Sequence, residues 1–313
     1  MNLFLLLKNK IFIAGIITLT ALTVGYLYST PKKEEKPVEL HPFPHHIPKS
    51  KQFGEEVRNG VPLVIYESWQ SHDLPLGMHD NIYTMLEKNP EFDFYLFSDD
   101  DCIKFIKDNF DEDVVDAFNT LRPGAFKSDL WRYCVLYKKG GIYMDIKYYS
   151  TVPLINIIDE NQTIFVRDSG APRTENGCFY NGFMASPPNN EIFKDCIDDI
   201  VKSCKKQLYR SGVLDITGPC LLGRILGKKY TSDYYKMVKF EYSNINGDFW
   251  NYYSGISYKG DIILKHYESY RNEQRKSGKD MHYGKLYAKG LVYNSLARLA
   301  NEKDSAGLNI TDL

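Results

Sequence analysis

The sequence predicts an α/β protein: a mixed sheet flanked by helices, preceded by an apolar N-terminal segment. Three observations lead there. Runs of β-branched and aromatic residues alternate along the chain with runs of helical periodicity, the pattern of a layered α/β domain. The alternation is sharpest between Pro123 and Ser150, where a helix, two glycines and a short strand follow one another and the strand ends on a carboxylate, Asp145. Ile11 to Tyr28 is an uncharged run close to the ~20 residues that cross a bilayer.

Taken in order, Lys8 and Lys10 precede the apolar run and Pro31, Lys32 and Lys33 end it, with no small-residue cleavage signature before Pro31. Residues 1–29 are therefore expected to be a short tail and an uncleaved signal-anchor helix. Positive charge is nearly balanced across the run, which leaves its orientation open. Residues 30–58, rich in Pro and charge and without periodicity, are expected to form a stem. Within it His41, His45 and His46 have no cysteine or carboxylate framework and read as solvated rather than metal-bound. The folded domain is expected over 59–303 and a frayed tail over 304–313.

Residues 61–69 open the domain as a strand with a β-branched centre. A helix over 79–91 and a strand over 92–98 follow. Ser98 or Asp99 then caps a helix through Phe110, where Asp99, Asp100 and Asp101 favour the helix dipole and need no metal. In the central stretch Pro123 suits a first helical turn, and Phe126, Leu130, Tyr133, Val135, Leu136 and Tyr137 recur roughly three or four apart. Lys138, Lys139, Gly140 and Gly141 stop the helix, and residues 142–146 read as a short buried strand. Strands are expected over 163–167 and 178–186 and a helix over 190–209. Thr217, Gly218 and Pro219 open another helix, Thr as cap and Pro at its start. A strand over 261–267 and an amphipathic helix over 283–301 close the domain.

Composition sets limits. A formal net charge of -1 gives no overall attraction for nucleic acid, and none is expected as a partner. The 24 Tyr and 17 Phe include platforms suited to sugars, but most must be core, so their number locates nothing. The 6 cysteines lack Cys-x-x-Cys spacing, which argues against zinc; the even number permits disulfides, and Cys134 in the apolar helix reads as a buried thiol. Asn161 and Asn309 stand in glycosylation acceptor sequences.

Two side-chain relations in the central stretch carry chemistry. Asp129 and Arg132, three apart on one helix, share a face and can pair. Asp145 and Lys147, two apart on a strand, share one face of the sheet. Acids held beside cations, at the strand ends where open α/β sheets bind ligands, suit a phosphorylated, hydroxyl-rich ligand. A plain helix salt bridge and a surface lysine have the same spacing.

Lys127, Asp129, Arg132, Tyr133, Leu136, Tyr137, Gly140, Gly141, Tyr143 and Asp145 together resemble the core motif of glycosyltransferase family 32, the DXD sugar-binding family that includes α-mannosyltransferases of the secretory pathway. The resemblance implies a GT-A-like, Rossmann-type sheet. It also implies a single-pass endomembrane enzyme, its catalytic domain lumenal, that moves a hexose from a GDP- or UDP-sugar to a glycan or lipid hydroxyl with retention. Asp129 would hold sugar hydroxyls, Arg132 would orient Asp129 and meet sugar or phosphate, and Asp145 would reach a metal or the ribose. The donor would also be lined by Ser68 and Trp69, at the end of a strand resembling the family's Ile-Pro-Lys-Ile-Ile-His-Gln-x-Trp, and by Tyr143, Asn181, Thr217 and Gly218. A divalent cation, Mn2+ or Mg2+, would be held by Asp145 and His266.

The chain departs from the motif at Ser128, where Ala is usual and no consequence is expected, and at Lys147, where a second Asp should stand. Lys147 cannot ligate a metal. Three outcomes stay open: Asp145 and His266 hold the cation without it, Lys147 itself neutralises the diphosphate, or the scaffold is a catalytically silent glycan- or nucleotide-binding protein.

Overall fold

Strands that are apolar on both faces must be covered on both, and the architecture follows from that need. A computed structural model describes residues 38–50, 56–160, 162–169, 177–230, 239–244, 254–277 and 281–294. Leu40–Pro42 (β1), His46–Ile47 (β2), Val57–Arg58 (β3), Val61–Pro62 (β4), Val64–Ser68 (β5) and Asp73–Pro75 (β6) precede the helix Leu76–Lys88 (α1). Asp93–Phe97 (β7) is followed by helices Asp99–Asn109 (α2), Glu112–Thr120 (α3) and Gly124–Lys139 (α4), then by Gly141–Met144 (β8) and Tyr148–Ser150 (β9). Next come Leu154–Glu160 (α5), Ile164–Asp168 (β10), Phe179–Ser186 (β11), Glu191–Lys205 (α6) and Pro219–Lys229 (α7). Phe240–Asn244 (β12), Ser254–Tyr258 (β13), Asp261–His266 (β14), Tyr270–Ser277 (α8) and Tyr283–Ala288 (α9) complete the described elements.

Ten strands form one mixed sheet in the order β2-β7-β5-β8-β11-β10-β12-β13-β14-β9. β5 lies parallel to both β7 and β8, so the carboxyl ends of β5 and β8 point the same way. Successive side chains take opposite faces. Tyr66 and Tyr143 join an apolar cluster with residues of α2, α3, α4, α6 and α7, whereas Ile65, Ile142 and Met144 join a second one with α1, α5 and β14.

Only Asp145, Ile146 and Lys147 separate β8 from β9, yet the two strands stand six places apart in the sheet. Laid flat, six steps would need roughly 29 Å at ~4.8 Å per strand. The chain between them spans at most about 15 Å. The sheet therefore curls back on itself, and the curl brings β11 and β14 to the same turn: Asp145 N–H donates to Gly182 O (2.9 Å) and Tyr267 N–H to Lys147 O (3.1 Å). A disulfide, Cys178–Cys220, ties the start of β11 to the first turn of α7, while Cys102, Cys134, Cys196 and Cys204 are buried thiols.

Several expectations are corrected. The expected stem is part of the fold from residue 38: β1 pairs with β6, β2 forms one edge of the large sheet beside β7, and Phe43 is buried. These pairings come from distant partners that local composition does not reveal. The strand over 142–146 ends at Met144, because Tyr148 N–H turns back to Asp145 O (3.0 Å). The helix over 190–209 stops at Lys205 and the closing helix at Ala288, after which Tyr293 pairs with Leu121. The apolar run 11–28, the tail 304–313, Asn161 and Asn309 lie outside the described residues, and no described helix is long and apolar enough to cross a membrane.

Helix α4 ends on Gly140, whose N–H donates to Leu136 O (2.9 Å) and whose φ of 65° lies in the left-handed region. A Cβ there would also stand 2.6 Å from Pro188 N. Gly140→Ala is expected to lower the unfolding free energy by about 2 kcal/mol or more, from the left-handed backbone plus the overlap. Guanidinium denaturation measures it, and an unchanged midpoint would contradict this account of the turn.

Candidate functional site

Helix α4, the turn after β8, strand β11 and the start of α7 converge on two carboxylates. Asp129, 8% exposed, accepts from Asn181 Nδ2 through Oδ1 (2.9 Å) and from Thr217 Oγ1 through Oδ2 (2.7 Å). The disulfide lies three residues from each of these two donors, at Cys178 and Cys220, and so holds them together. Arg132 Nη2 is 3.3 Å from Asp129 Oδ1, and Nη1 is 3.3 Å from Asp145 Oδ1. One guanidinium therefore spans both acids. It is fixed by further donations to Ser128 O (3.2 Å), Ser128 Oγ (3.0 Å) and Asn181 O (2.9 Å), and it packs 4.3 Å from the centre of the Tyr143 ring.

Asp145 is the more accessible acid, its side chain 20% exposed. Oδ1 accepts from Tyr143 Oη (2.9 Å); Oδ2 accepts from Tyr180 Oη (2.9 Å) and meets Lys147 Nζ at 2.9 Å. The Lys147 ammonium lies 5.2 and 5.3 Å from the ring centres of Tyr148 and Tyr180, and Tyr148 Oη donates to Tyr180 Oη (3.0 Å). Antiparallel pairing of β8 and β11 sets Gly182 opposite Asp145, where any Cβ would collide with Tyr180 Oη and Asp145 Oδ2. Only glycine admits the acid.

The environments push the two carboxyls apart. Burial raises Asp129 above the usual carboxylate range, and the opposing pull of Arg132, Thr217 and Asn181 offsets this only in part. Burial acts on Asp145 too, but Lys147 and then Arg132, with their hydrogen bonds and that of Tyr143, outweigh it and hold Asp145 well below that range. Lys147 is raised: burial opposes its charge, and Asp145 more than compensates.

Asp129, Arg132, Tyr143, Asp145, Lys147, Asn181 and Thr217 thus form one bonded network, and Gly218 backs it, since a Cβ there would lie 3.4 Å from Asp129 Oδ2. Ser68 joins through Ser128, the two hydroxyls 2.9 Å apart. Ser128 is accordingly not silent: it links the end of β5 to Arg132. Trp69 packs against the second apolar cluster, its indole Nε1 without a hydrogen-bond partner among the described residues. His266 is buried with its ring 5.0 Å from that of Tyr148, and both ring nitrogens lack a hydrogen-bond partner among the described residues. Burial, then Lys147 and Arg271, push its pKa down to about 2.

Sequence reasoning missed Tyr148, Tyr180, Gly182 and Glu67. Tyr180 and Gly182 meet Asp145 through the pairing register of β8 and β11, and Tyr148 reaches it through Tyr180, relations that leave no local signal. Glu67, on β5, is fully buried, with neither carboxyl oxygen paired among the described residues; burial, then Asp145, raise it well above the usual carboxylate range. It stands where the resembling strand carries Gln.

The cation implied by the resemblance can be tested on the donor set. Both Asp145 oxygens already receive a hydroxyl and a cationic group, and the Lys147 ammonium sits against Oδ2. A divalent ion on Asp145 would face Lys147 and Arg132 at a few ångströms, a repulsion of about 4 kcal/mol per unit charge pair at an intermediate dielectric. His266, an imidazole, brings no negative charge and does not relieve this. These residues do not fit a divalent cation. Among the described residues one trio of ligand atoms lies close together, His45, His72 and Asp101, but these serve one another and the fold: His72 Nε2 is 2.6 Å from Asp101 Oδ2, His45 Nδ1 is 2.8 Å from Leu96 O, and Asp101 closes the capping box of α2 with Ser98.

Paired acids and cations thus stand at the strand ends of a mixed α/β sheet, and this arrangement can be set beside known proteins. Residues 75–164 match the family described as "Glycosyltransferase sugar-binding region containing DXD motif". It is 24% identical over 218 residues to "Inositol phosphoceramide mannosyltransferase 2" of Schizosaccharomyces pombe, covering 65% of this chain and 61% of that one. It is 26% identical over 121 residues to "Initiation-specific alpha-1,6-mannosyltransferase" of Candida albicans, covering 37% and 31%. The chain spans less than two thirds of the length of these relatives. A solved structure, "PaToxG Glycosyltransferase", superposes with a TM-score of 0.42 at 17% identity, covering 54% and 70%.

His266 gives the site a pH signature. Unfolded histidine titrates near ~6.5 and folded His266 far lower, so below that pH the unfolded state binds the extra proton and stability falls as pH falls. The loss amounts to as much as about 1.4 kcal/mol per pH unit below about pH 6. Urea unfolding at pH 7, 6 and 5 is expected to show a flatter slope for His266→Gln than for the natural protein; equal slopes would mean the histidine is not held neutral.

Proposed function

We propose that the protein transfers a hexose, mannose being the first to test, from a nucleotide sugar to a hydroxyl acceptor, with retention. The observation that carries this reading is the single guanidinium of Arg132 spanning Asp129 and Asp145. It sets a hydroxyl-recognising end beside a phosphate-recognising end. At the first, Asp129, Asn181 and Thr217 offer the mixed acceptors and donors that vicinal hydroxyls need. At the second, Arg132 and Lys147 supply the positive charge that a diphosphate leaving group needs as the bond to the sugar breaks. Burial raises Asp129, bonded to the hydroxyl of Thr217 and the amide of Asn181, while Lys147 and Arg132 lower Asp145, which suits it to fixing cations.

The names of the mannosyltransferase relatives support the choice of sugar, and those of the inositol phosphoceramide enzymes support a glycolipid acceptor. A GT-A-type arrangement, a membrane anchor within residues 1–29 and an endomembrane location belong to the same proposal. Neither a nucleophile nor a general base is assigned.

Hydrolysis of and transfer from GDP-mannose by the full chain test the reading. Asp129→Asn and Asp145→Asn are each expected to lower kcat/KM about 100-fold or more, a loss of about 2.7 kcal/mol of transition-state stabilisation, with the circular dichroism spectrum retained. A chain that binds nucleotide sugars but turns none over would instead be a silent binding protein, and the transfer reading would fall.

A further inference from the structure

The cluster is electrically complete without a metal. In an Asp-x-Asp arrangement two carboxylates and one divalent ion sum to zero charge. Here Asp145 and Lys147 cancel by themselves, as do Asp129 and Arg132. All four side chains are largely buried, 20% exposed at most, so an added divalent ion would leave two uncompensated positive charges in a poorly solvated place.

Lys147 is built to do more than pair. Its backbone carbonyl is pinned by Tyr267 N–H, its ammonium lies 5.2 and 5.3 Å from the ring centres of Tyr148 and Tyr180, and burial keeps the neighbouring His266 neutral, so that it adds no competing charge. An ammonium has three donors, and the contact with Asp145 uses one. A side chain 13% exposed keeps a route for the others to an outside oxyanion.

We propose that the Lys147 ammonium, oriented by Asp145, replaces the divalent cation, so that the donor's diphosphate is bound and released without metal. The inference rests on the sugar-transfer reading and names how that site meets its phosphates. As the bond between the sugar C1 and the diphosphate oxygen breaks, its electron pair goes to that oxygen, and Lys147 stabilises the added charge by hydrogen bonding while staying protonated. The acceptor oxygen forms the new bond to C1, and its proton passes to solvent.

Isothermal titration of the full chain with GDP and UDP, in EDTA and again in Mn2+, tests the proposal. The dissociation constants in the two media are expected to agree within about twofold. Lys147→Met should weaken binding about tenfold or more in both media, and Lys147→Arg should restore most of it. Lys147→Asp should bind weakly in EDTA, recover in Mn2+, and gain Mn2+ binding, seen by electron paramagnetic resonance, that the natural protein lacks. Thermal melts check that each variant folds; if none does, the comparison of the natural protein in the two media decides alone. A tenfold or greater loss of natural binding in EDTA overturns the replacement and leaves the transfer reading standing. Binding of neither nucleotide in either medium overturns both.

Discussion

The site depends on one buried guanidinium shared by two acids. Asp129 and Asp145 repel one another, and burial makes each ionised form harder to hold. Arg132 resolves the conflict because it cannot lose its proton and presents five N–H donors in a rigid fork. Those donors reach Asp129, Asp145, the Asn181 carbonyl and both oxygens of Ser128, so helix α4, the turn after β8 and strand β11 are fixed to one another through a single side chain. A lysine there would offer a point charge with no fork, and the two carboxylates would have no common partner.

The turn that carries Asp145 is set by the sheet. The three-residue link from β8 to β9 forces the sheet to close on itself, which carries His266 of β14 to the Asp145–Lys147 turn, while Tyr180 reaches it from β11, the neighbour of β8. Gly182 leaves room for the acid at the register position opposite it. The Cys178–Cys220 crosslink closes a loop of 42 residues and stabilises the folded state by roughly 4 kcal/mol on a loop-entropy estimate. It does so at the point where Asn181 and Thr217 must both reach Asp129.

The departures from the resembling motif gather around Asp145 and Arg132. Lysine stands where a second acid would and pairs with Asp145, a buried Glu67 stands where the resembling strand has an amide, and Ser128 adds a hydroxyl that braces Arg132 against Ser68.

Local pattern alone determined the helix that carries Asp129 and Arg132, their pairing one turn apart, the glycine stop after it and the acid beyond the next strand, because helical spacing and glycine chemistry act over a few residues. Most helices and inner strands were legible for the same reason. The folded start at residue 38, helix α3 and the β12–β13 hairpin were not, since short or amphipathic segments take their structure from distant partners. Whether Asp145 and Lys147 serve a metal or replace one was also beyond the sequence. Where Tyr143, Tyr180 and Arg132 place their donors around Asp145 came only from the tertiary structure, because side chains from separate strands and helices meet only once the chain has folded.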